Sequence, residues 1–146
     1  MKISTRVRYG TRLMVVLAVN YGKGPVLLKD IAQSEEISEK YLGQIIIPLK
    51  AAGLVGSFRG AKGGYVLNKT PNKISINDIA RALEGDYNLV DCVNDQTACN
   101  RINMCITQDI WSTLEKNITK TLAGISLRDL VLKAHHKSKQ VSTYNI

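Results

Sequence analysis

A glycine-rich segment in the first half of the chain constrains the fold more than any other part of the sequence. The segment LVGSFRGAKGGYVL, residues 54–67, holds two short runs typical of β-strands, separated by a tip at residues 59–64. Because glycines flank and fill this tip, the two runs can pair as an antiparallel hairpin. Three stretches with helical patterning precede it and end at Gly22, Glu36 and Gly53. Three helices followed by a basic hairpin are typical of a winged helix-turn-helix domain.

The rest of the chain predicts further helices, so the expected fold class is mainly α with a small β wing. Ser75 and Asp78 indicate a capped helix start in SINDIARALEG, and Gly85 indicates its end. A long helix is predicted over roughly 102–122, and a last helix begins at a second cap signal, Ser126 to Asp129. The chain is therefore predicted to have four parts: a winged helix-turn-helix domain (1–85), a cysteine loop (86–105), a dimerisation helix with a terminal helix (102–135) and a flexible tail (136–146).

The long helix carries an apolar stripe. Its members are Ile106, Ile110, Trp111, Leu114, Ile118 and Leu122. Five of them recur every four residues, which places them along one side of a helix. We expect this side to pair with a second copy of the chain and form a homodimer. Packing against the chain's own core would produce the same pattern and stays an alternative.

The positive charge of the chain is concentrated in its first half. Residues 1–70 hold eleven Lys and Arg against four Asp and Glu, a net charge of +7, whereas residues 71–146 hold nine against eight, a net charge of +1. This asymmetry favours a polyanion as the partner of the first half, although a solvated basic surface would give the same count. The longest apolar run, Leu13–Val19, is too short to span a membrane. We therefore expect a cytoplasmic protein with no membrane partner.

The third helix and the hairpin tip supply candidate contacts to double-stranded DNA. The candidates are Ser38, Lys40, Tyr41, Gln44, Arg59, Gly60 and Lys62. The N-terminal part of such a helix enters the major groove, where hydroxyl and amide groups read base edges. The lysines are expected to neutralise phosphates, and Arg59 on its slim tip to enter a minor groove. In the alternative interpretation Ser38 only caps the helix, Tyr41 is half-buried and Arg59 is a loop charge.

All three cysteines fall within the fourteen residues CVNDQTACNRINMC, at Cys92, Cys99 and Cys105. An odd number argues against a disulfide framework, and the close Cys-x2-Cys pair of zinc and thioredoxin-like sites is missing. Thiolates are the ligands that iron–sulfur clusters favour, so this loop is a candidate cluster site. Direct sensing of thiols or oxidants and binding of another protein remain alternatives. With no histidine near the cysteines and no P-loop, neither an enzyme nor a small-molecule substrate is expected.

The stretch SEKYLGQIIIPLKAAGLVGSFRGAKGGYVL resembles the signature of the IscR-like winged-helix repressors, the iron–sulfur cluster regulators. The opening MKISTRVRYG and the stretch MCITQDIW are also similar, and the likeness extends to about Leu132. It implies a homodimer that reads a pseudo-palindromic operator, represses cluster assembly genes and makes base and groove contacts through Ser38, Tyr41, Gln44 and Arg59. It also implies a cluster on the three cysteines, with [2Fe–2S] favoured over [4Fe–4S].

The chain departs from this family at two functional positions. Gly43 stands on the third helix where relatives often carry a larger or acidic side chain, which is expected to change operator preference. Gln108 stands three residues after the last cysteine, where relatives often have a histidine. An amide is a poor iron ligand beside thiolates. Asp91, Asp95, Asp109, a residue of the partner subunit or water therefore remain open as the fourth ligand.

Overall fold

The computed structural model describes the backbone of residues 2–144 and the side chains of residues 2–139. Seven helices and one hairpin follow one another in the order α1 (Thr5–Val19), α2 (Leu28–Glu35), α3 (Glu39–Ala51), β1 (Val55–Phe58), β2 (Gly64–Leu67), α4 (Ile76–Glu84), α5 (Asp91–Asn94), α6 (Gln108–Ala123) and α7 (Leu127–Tyr144). Single 3-10 turns at Pro71–Lys73 and Ile102–Met104 complete the described part. The predicted fold class, mainly α with a small β wing, is confirmed.

The core lies where α1, α3, α4 and the base of the hairpin meet. Its fully buried side chains are Leu13, Met14, Ile31, Leu42, Leu49, Ile74, Ile79 and Leu127. Burying a side chain of this size stabilises the fold by about 1.5–3 kcal/mol. Since α2 and α3 both contribute to this core, their relative orientation is fixed, and the outer side of α3 stays exposed to solvent.

The wing is the hairpin of β1 and β2. Its strands pair in an antiparallel register from Val55 opposite Leu67 to Phe58 opposite Gly64. Val26 forms an isolated antiparallel bridge to the wing: its N–H donates to the carbonyl oxygen of Tyr65 at 2.9 Å, and its carbonyl oxygen accepts the N–H of Tyr65 at 2.8 Å. Gly64 has a φ of +140°, and a Cβ there would lie 2.5 Å from the carbonyl oxygen of Val26. Only glycine allows the wing to approach the preceding loop this closely.

Two capping boxes hold the starts of α4 and α7 side by side. The N–H of Ser75 donates to the Asp78 carboxylate at 2.9 Å, and the N–H of Asp78 donates to Ser75 Oγ at 3.1 Å. Ser126 and Asp129 repeat the arrangement at 2.9 and 3.2 Å. An antiparallel bridge joins Ser75 to Ser126, and Leu127 is fully buried beside it. The terminal helix therefore packs against the domain formed by α1–α4 and the wing.

The boundaries of the long helix differ from those predicted. It begins at Gln108, because Cys105 is extended (ψ 112°) and interrupts the helical hydrogen bonds after the turn Ile102–Met104. The apolar spacing continues across this break, so the pattern could not mark the true start. Ile106, predicted in the stripe, lies outside the helix and is 90% exposed. The predicted tail (136–146) is helical as far as Tyr144, and its last two residues lie outside the described part.

Candidate DNA-binding surface and cysteine loop

The outer side of α3 presents polar side chains to solvent. Lys40, Gln44 and Ile47 are exposed and follow one another by four and three residues, so they share one side of the helix. Ser38 is exposed too, and its Oγ accepts a hydrogen bond from the N–H of Tyr41 at 3.3 Å. It therefore caps the helix, as one interpretation expected, at the end that would enter a groove.

Tyr41 is half-buried, as the alternative interpretation held, and links α3 to α1. Its ring lies edge-on to that of Tyr9, with centroids 6.0 Å apart and an interplanar angle of 87°. The guanidinium of Arg12 lies 5.5 Å from the Tyr9 ring centroid. Arg12 also donates to the Glu35 carboxylate at 2.8 Å and to the Glu35 carbonyl at the end of α2. These contacts hold the turn between α2 and α3 against α1.

The wing tip carries the second predicted set of contacts. Arg59, Gly60 and Lys62 are all exposed, and Gly60 has a φ of +102°. A groove of about 530 Å³ separates the wing from α2 and α3, and Arg59, Lys29 and Lys50 line it, with one acidic residue, Glu39. The groove is therefore positively charged along most of its length, which suits a phosphate backbone.

The structure adds residues to this surface that the sequence reasoning missed. Ile47 is 66% exposed on α3, and Phe58 is 59% exposed at the base of the wing tip. Lys29 and Lys50 line the groove together with Phe58. The three-residue step from Gln44 could have identified Ile47 from the sequence, whereas the positions of the two lysines depend on how α2, α3 and the wing pack.

The cysteine loop (86–105) holds its thiols in different surroundings. Cys92 is half-buried in α5, whereas Cys99 and Cys105 are exposed. The Sγ of Cys99 accepts the N–H of Arg101 at 3.4 Å. The hydroxyl of Thr107, 3.3 Å from Cys105 Sγ, lowers the pKa of that thiol, and the backbone N–H groups of Thr107 and Gln108 lower it further. The lowered pKa makes the thiolate of Cys105, the form that binds metals, easier to form than in an ordinary cysteine.

The three thiols fit an iron–sulfur cluster by donor type, but they are not assembled around one point. Among the described side chains, no group of three or more Cys, His, Asp or Glu could hold a metal ion. Gln108 donates through Nε2 to the carbonyl oxygen of Cys92 at 2.7 Å, so its amide is engaged with the backbone. Asp95 accepts both hydrogen bonds offered by Thr97, and the Thr97 hydroxyl lowers the Asp95 pKa. Cluster binding would require the loop to draw Cys99 and Cys105 towards Cys92.

The predicted dimerisation stripe is divided between two surroundings. Ile110 and Trp111 are 55% and 39% exposed, whereas Leu122 is half-buried against the core of the chain. Leu114 and Ile118 are half-buried and line an apolar groove of about 640 Å³ between α6 and residues 87–90. The two interpretations of the stripe therefore apply to its opposite ends: the last turn packs internally and the first turns are open.

Comparison with known proteins identifies the family. The family model Rrf2, described as an iron-dependent transcriptional regulator, matches residues 3–133. The chain belongs to the Rrf2 family. Members of this family are transcriptional regulators, so the protein is a DNA-binding regulator and not an enzyme.

Within the Rrf2 family, the chain is similar to both CymR and IscR proteins. The HTH-type transcriptional regulator CymR of Bacillus subtilis is 42% identical over 130 residues, which cover 89% of each chain. The solved structure of this CymR, named as the global cysteine regulator, superposes with a TM-score of 0.77 at 39% identity, covering 91% of this chain and 98% of that one. The structure of T. potens IscR gives a TM-score of 0.76 at 39% identity, covering 92% and 88%. The resemblance to IscR-like regulators is confirmed.

None of the described helices has both the length and the apolar composition that a membrane span requires.

Proposed function

We propose that this protein is a homodimeric transcriptional repressor that binds a pseudo-palindromic operator and holds an iron–sulfur cluster on Cys92, Cys99 and Cys105, with cluster assembly genes as its targets. One observation carries the proposal: the only three thiols of the chain lie on one loop, which leads directly into the helix with the open apolar side. A [2Fe–2S] cluster is favoured over [4Fe–4S] through the likeness to IscR.

DNA binding uses α3 for the bases and the wing for the backbone. Gln44 can pair with adenine, and the exposed methyl groups of Ile47 suit a thymine methyl. Arg59 and Lys62 reach the neighbouring groove and phosphates from the wing tip, with Lys29 and Lys50 lining the space between. Gly43 leaves the middle of α3 without a side chain, so base preference rests on the residues around it.

The homodimer uses the open part of α6. Ile110 and Trp111 are exposed next to the apolar groove that Leu114 lines, and a contiguous apolar surface of this kind marks a protein interface. A second copy that covers them would set the distance between two recognition helices, and half-sites lie about 34 Å apart for one turn of DNA. Any change in the packing of α6 would alter that distance and hence DNA affinity.

The cysteine loop supplies the sensing site. A bound cluster would supply a redox-active centre that oxidants and chelators can attack. Cys105 contributes a thiol already biased towards thiolate. Gln108 is engaged with the Cys92 carbonyl, so the fourth ligand comes from an Asp, from the partner subunit or from water. A cluster with incomplete protein ligation is readily lost, which suits a sensor.

The test is the visible absorption spectrum, with iron and acid-labile sulfide assays, of anaerobically purified protein. The proposal expects a brown protein with equal amounts of iron and sulfide. It also expects Cys92→Ala to remove both, whereas Asn100→Ala, in the same loop and without a thiol, retains them. A wild-type protein that stays colourless after reconstitution under reducing conditions would disprove the cluster and leave DNA binding unaffected.

A second candidate is a regulator of the same fold that senses thiol or oxidant state without a cluster. Two observations favour it: Cys99 and Cys105 are exposed, and the thiols of the described structure are not gathered. The similar CymR, named as a cysteine regulator, points the same way. This candidate predicts a colourless protein whose affinity for DNA changes on mild oxidation and recovers on reduction, with Cys99→Ser and Cys105→Ser insensitive.

A further inference from the structure

Glu115 on α6 is the only polar or charged side chain that is buried in the described part of the chain. Its Oε1 accepts a hydrogen bond from Nδ2 of Asn94 at 2.8 Å, and its Oε2 accepts the backbone N–H of Leu89 at 3.3 Å. Both donors belong to the cysteine loop and flank Cys92. A buried carboxylate is tolerated only when such donors satisfy it, so Glu115 needs both contacts with the cysteine loop.

Gln108 makes a second connection between the cysteine loop and α6. Its Nε2 donates to the carbonyl oxygen of Cys92 at 2.7 Å. Gln108 and Glu115 are seven residues apart on α6, which is two helical turns, so they share one side of the helix about 10.5 Å apart along its axis. The segment Leu89–Asn94 is thus attached to α6 at two points.

We propose that Glu115 and Gln108 are positioning residues that fix the Cys92 segment to α6, so that Cys92 is the stationary thiol while Cys99 and Cys105 are the ones that move. Gln108 acts on the backbone of Cys92 and not as a ligand. A change of state at Cys99 or Cys105 then reaches α6 through Cys92 and these two contacts. The role in sensing rests on the proposed function, but the two contacts do not.

The pair Asn94 and Glu115 allows a test by exchange of donor and acceptor. Asn94→Asp places two carboxylates face to face, which breaks the contact by repulsion. Glu115→Gln alone is mild, because the Asn94 amide can turn over and accept from the new amide N–H while the new carbonyl accepts from Leu89. The double variant Asn94→Asp with Glu115→Gln restores both hydrogen bonds, since the new amide donates to the new carboxylate and its carbonyl oxygen accepts the N–H of Leu89.

The experiment uses metal-free, reduced, full-length protein in which Cys99 and Cys105 are serine, so that Cys92 is the single thiol. The rate of Cys92 alkylation by iodoacetamide and deuterium uptake by residues 88–95 are measured. Asn94→Asp is expected to raise both rates about tenfold through local opening. Adding Glu115→Gln is expected to return them to within about twofold of the parent. Gln108→Ala is expected to raise alkylation about threefold, as it removes one bond to a neutral acceptor.

Asn100→Asp is the matched control, because it adds the same charge at an exposed position of the same loop. The inference is overturned if Asn94→Asp is no more reactive than Asn100→Asp, or if Glu115→Gln fails to rescue it. Thermal unfolding of each variant separates local opening from general destabilisation. Whichever of the two Asn94→Asp causes, its rescue by Glu115→Gln is explained only by direct contact between the two side chains. Because no metal is present, a failure of this test is distinct from the absence of a cluster in the wild-type protein.

Discussion

Replacing each of two helical glycines by alanine should change stability in opposite directions. Gly10 lies within α1 and Gly43 within α3. Alanine in a helix interior is more stable than glycine by about 0.5–1 kcal/mol, because glycine loses more backbone entropy on folding. Neither Gly10 nor Gly43 has a positive φ, so alanine can adopt the backbone conformation at both positions and the gain applies to both.

The atoms around each glycine decide whether alanine stabilises or destabilises the fold. At Gly43 a new Cβ would meet only Leu28 Cδ2 at 3.8 Å, an ordinary contact. The full gain of about 0.5–1 kcal/mol remains, which corresponds to a rise of roughly 1–4 °C in Tm for a chain of this size. At Gly10 the new Cβ would lie 2.4 Å from Leu83 Cδ1 and 3.3 Å from Ile45 Cγ2. Leu83 is 5% exposed and must shift, at a cost of about 1–3 kcal/mol.

The net expectation for Gly10→Ala is therefore a loss of about 0–2.5 kcal/mol, so the two variants should differ by about 1–3 kcal/mol. Urea and thermal unfolding followed by far-ultraviolet circular dichroism, under one buffer condition, measure this difference. If Gly10→Ala raised the unfolding midpoint as much as Gly43→Ala does, the close packing of α1 against α4 would be wrong. If Gly43→Ala lowered it, the described environment of α3 would be wrong.

Three further predictions concern binding, assembly and pH. Gln44→Ala should cost about 1–3 kcal/mol at one base pair of the operator, whereas Lys62→Ala should weaken all sequences alike and reduce the salt slope by about 1; competition binding at several salt concentrations measures both. Ile110→Asp should convert the dimer to a monomer in light scattering, because it places a charge on the open apolar side of α6. The hydrogen bond from the Ser126 N–H lowers the pKa of Asp129, so its support for α7 is present above the ordinary pKa of aspartate and is lost as pH falls through the lowered value. Deuterium uptake in the first turn of α7 should rise over that acidic range.

Each of these three predictions has an outcome that would contradict it. A uniform loss across all operator variants for Gln44→Ala would remove its role in base readout. A dimer that persists in Ile110→Asp would place the interface elsewhere. Uptake in α7 that rises equally in wild type and Asp129→Asn would show that the carboxylate does not support the helix start.

The starts of α3, α4 and α7 and the wing could be predicted because their signals are local. Ser38, Ser75 and Ser126 each bond a backbone N–H three residues away, so four consecutive residues contain the whole interaction. Gly64 allows the close approach of strand and loop that the wing needs. The exposed positions of Ser38, Gln44 and Arg59 also match the prediction, although their contacts to DNA stay predictions.

The start of α6 and the surroundings of Ile106 could not be predicted, because the apolar spacing runs on through a break in the backbone. Hydrogen bonding at Cys105 and Thr107, and not side-chain periodicity, ends the preceding turn. The same limit applies to the cysteines. Their clustering in the sequence indicated a shared site, yet in the described structure Cys92 is held by α6 while the other two thiols are exposed.

The sequence by itself determined the class of the protein: the order of helices and wing, the helix caps, the basic first half and the single cysteine loop. These depend on neighbours along the chain or on composition. Only the tertiary structure decided that Glu115 meets Asn94 and Leu89, that Tyr41 lies against Tyr9, and that Lys29 and Lys50 line the same groove as the wing. The contacts of Glu115 and Tyr41 join residues more than 20 positions apart, and they exist only once the hydrophobic core has set how the helices cross.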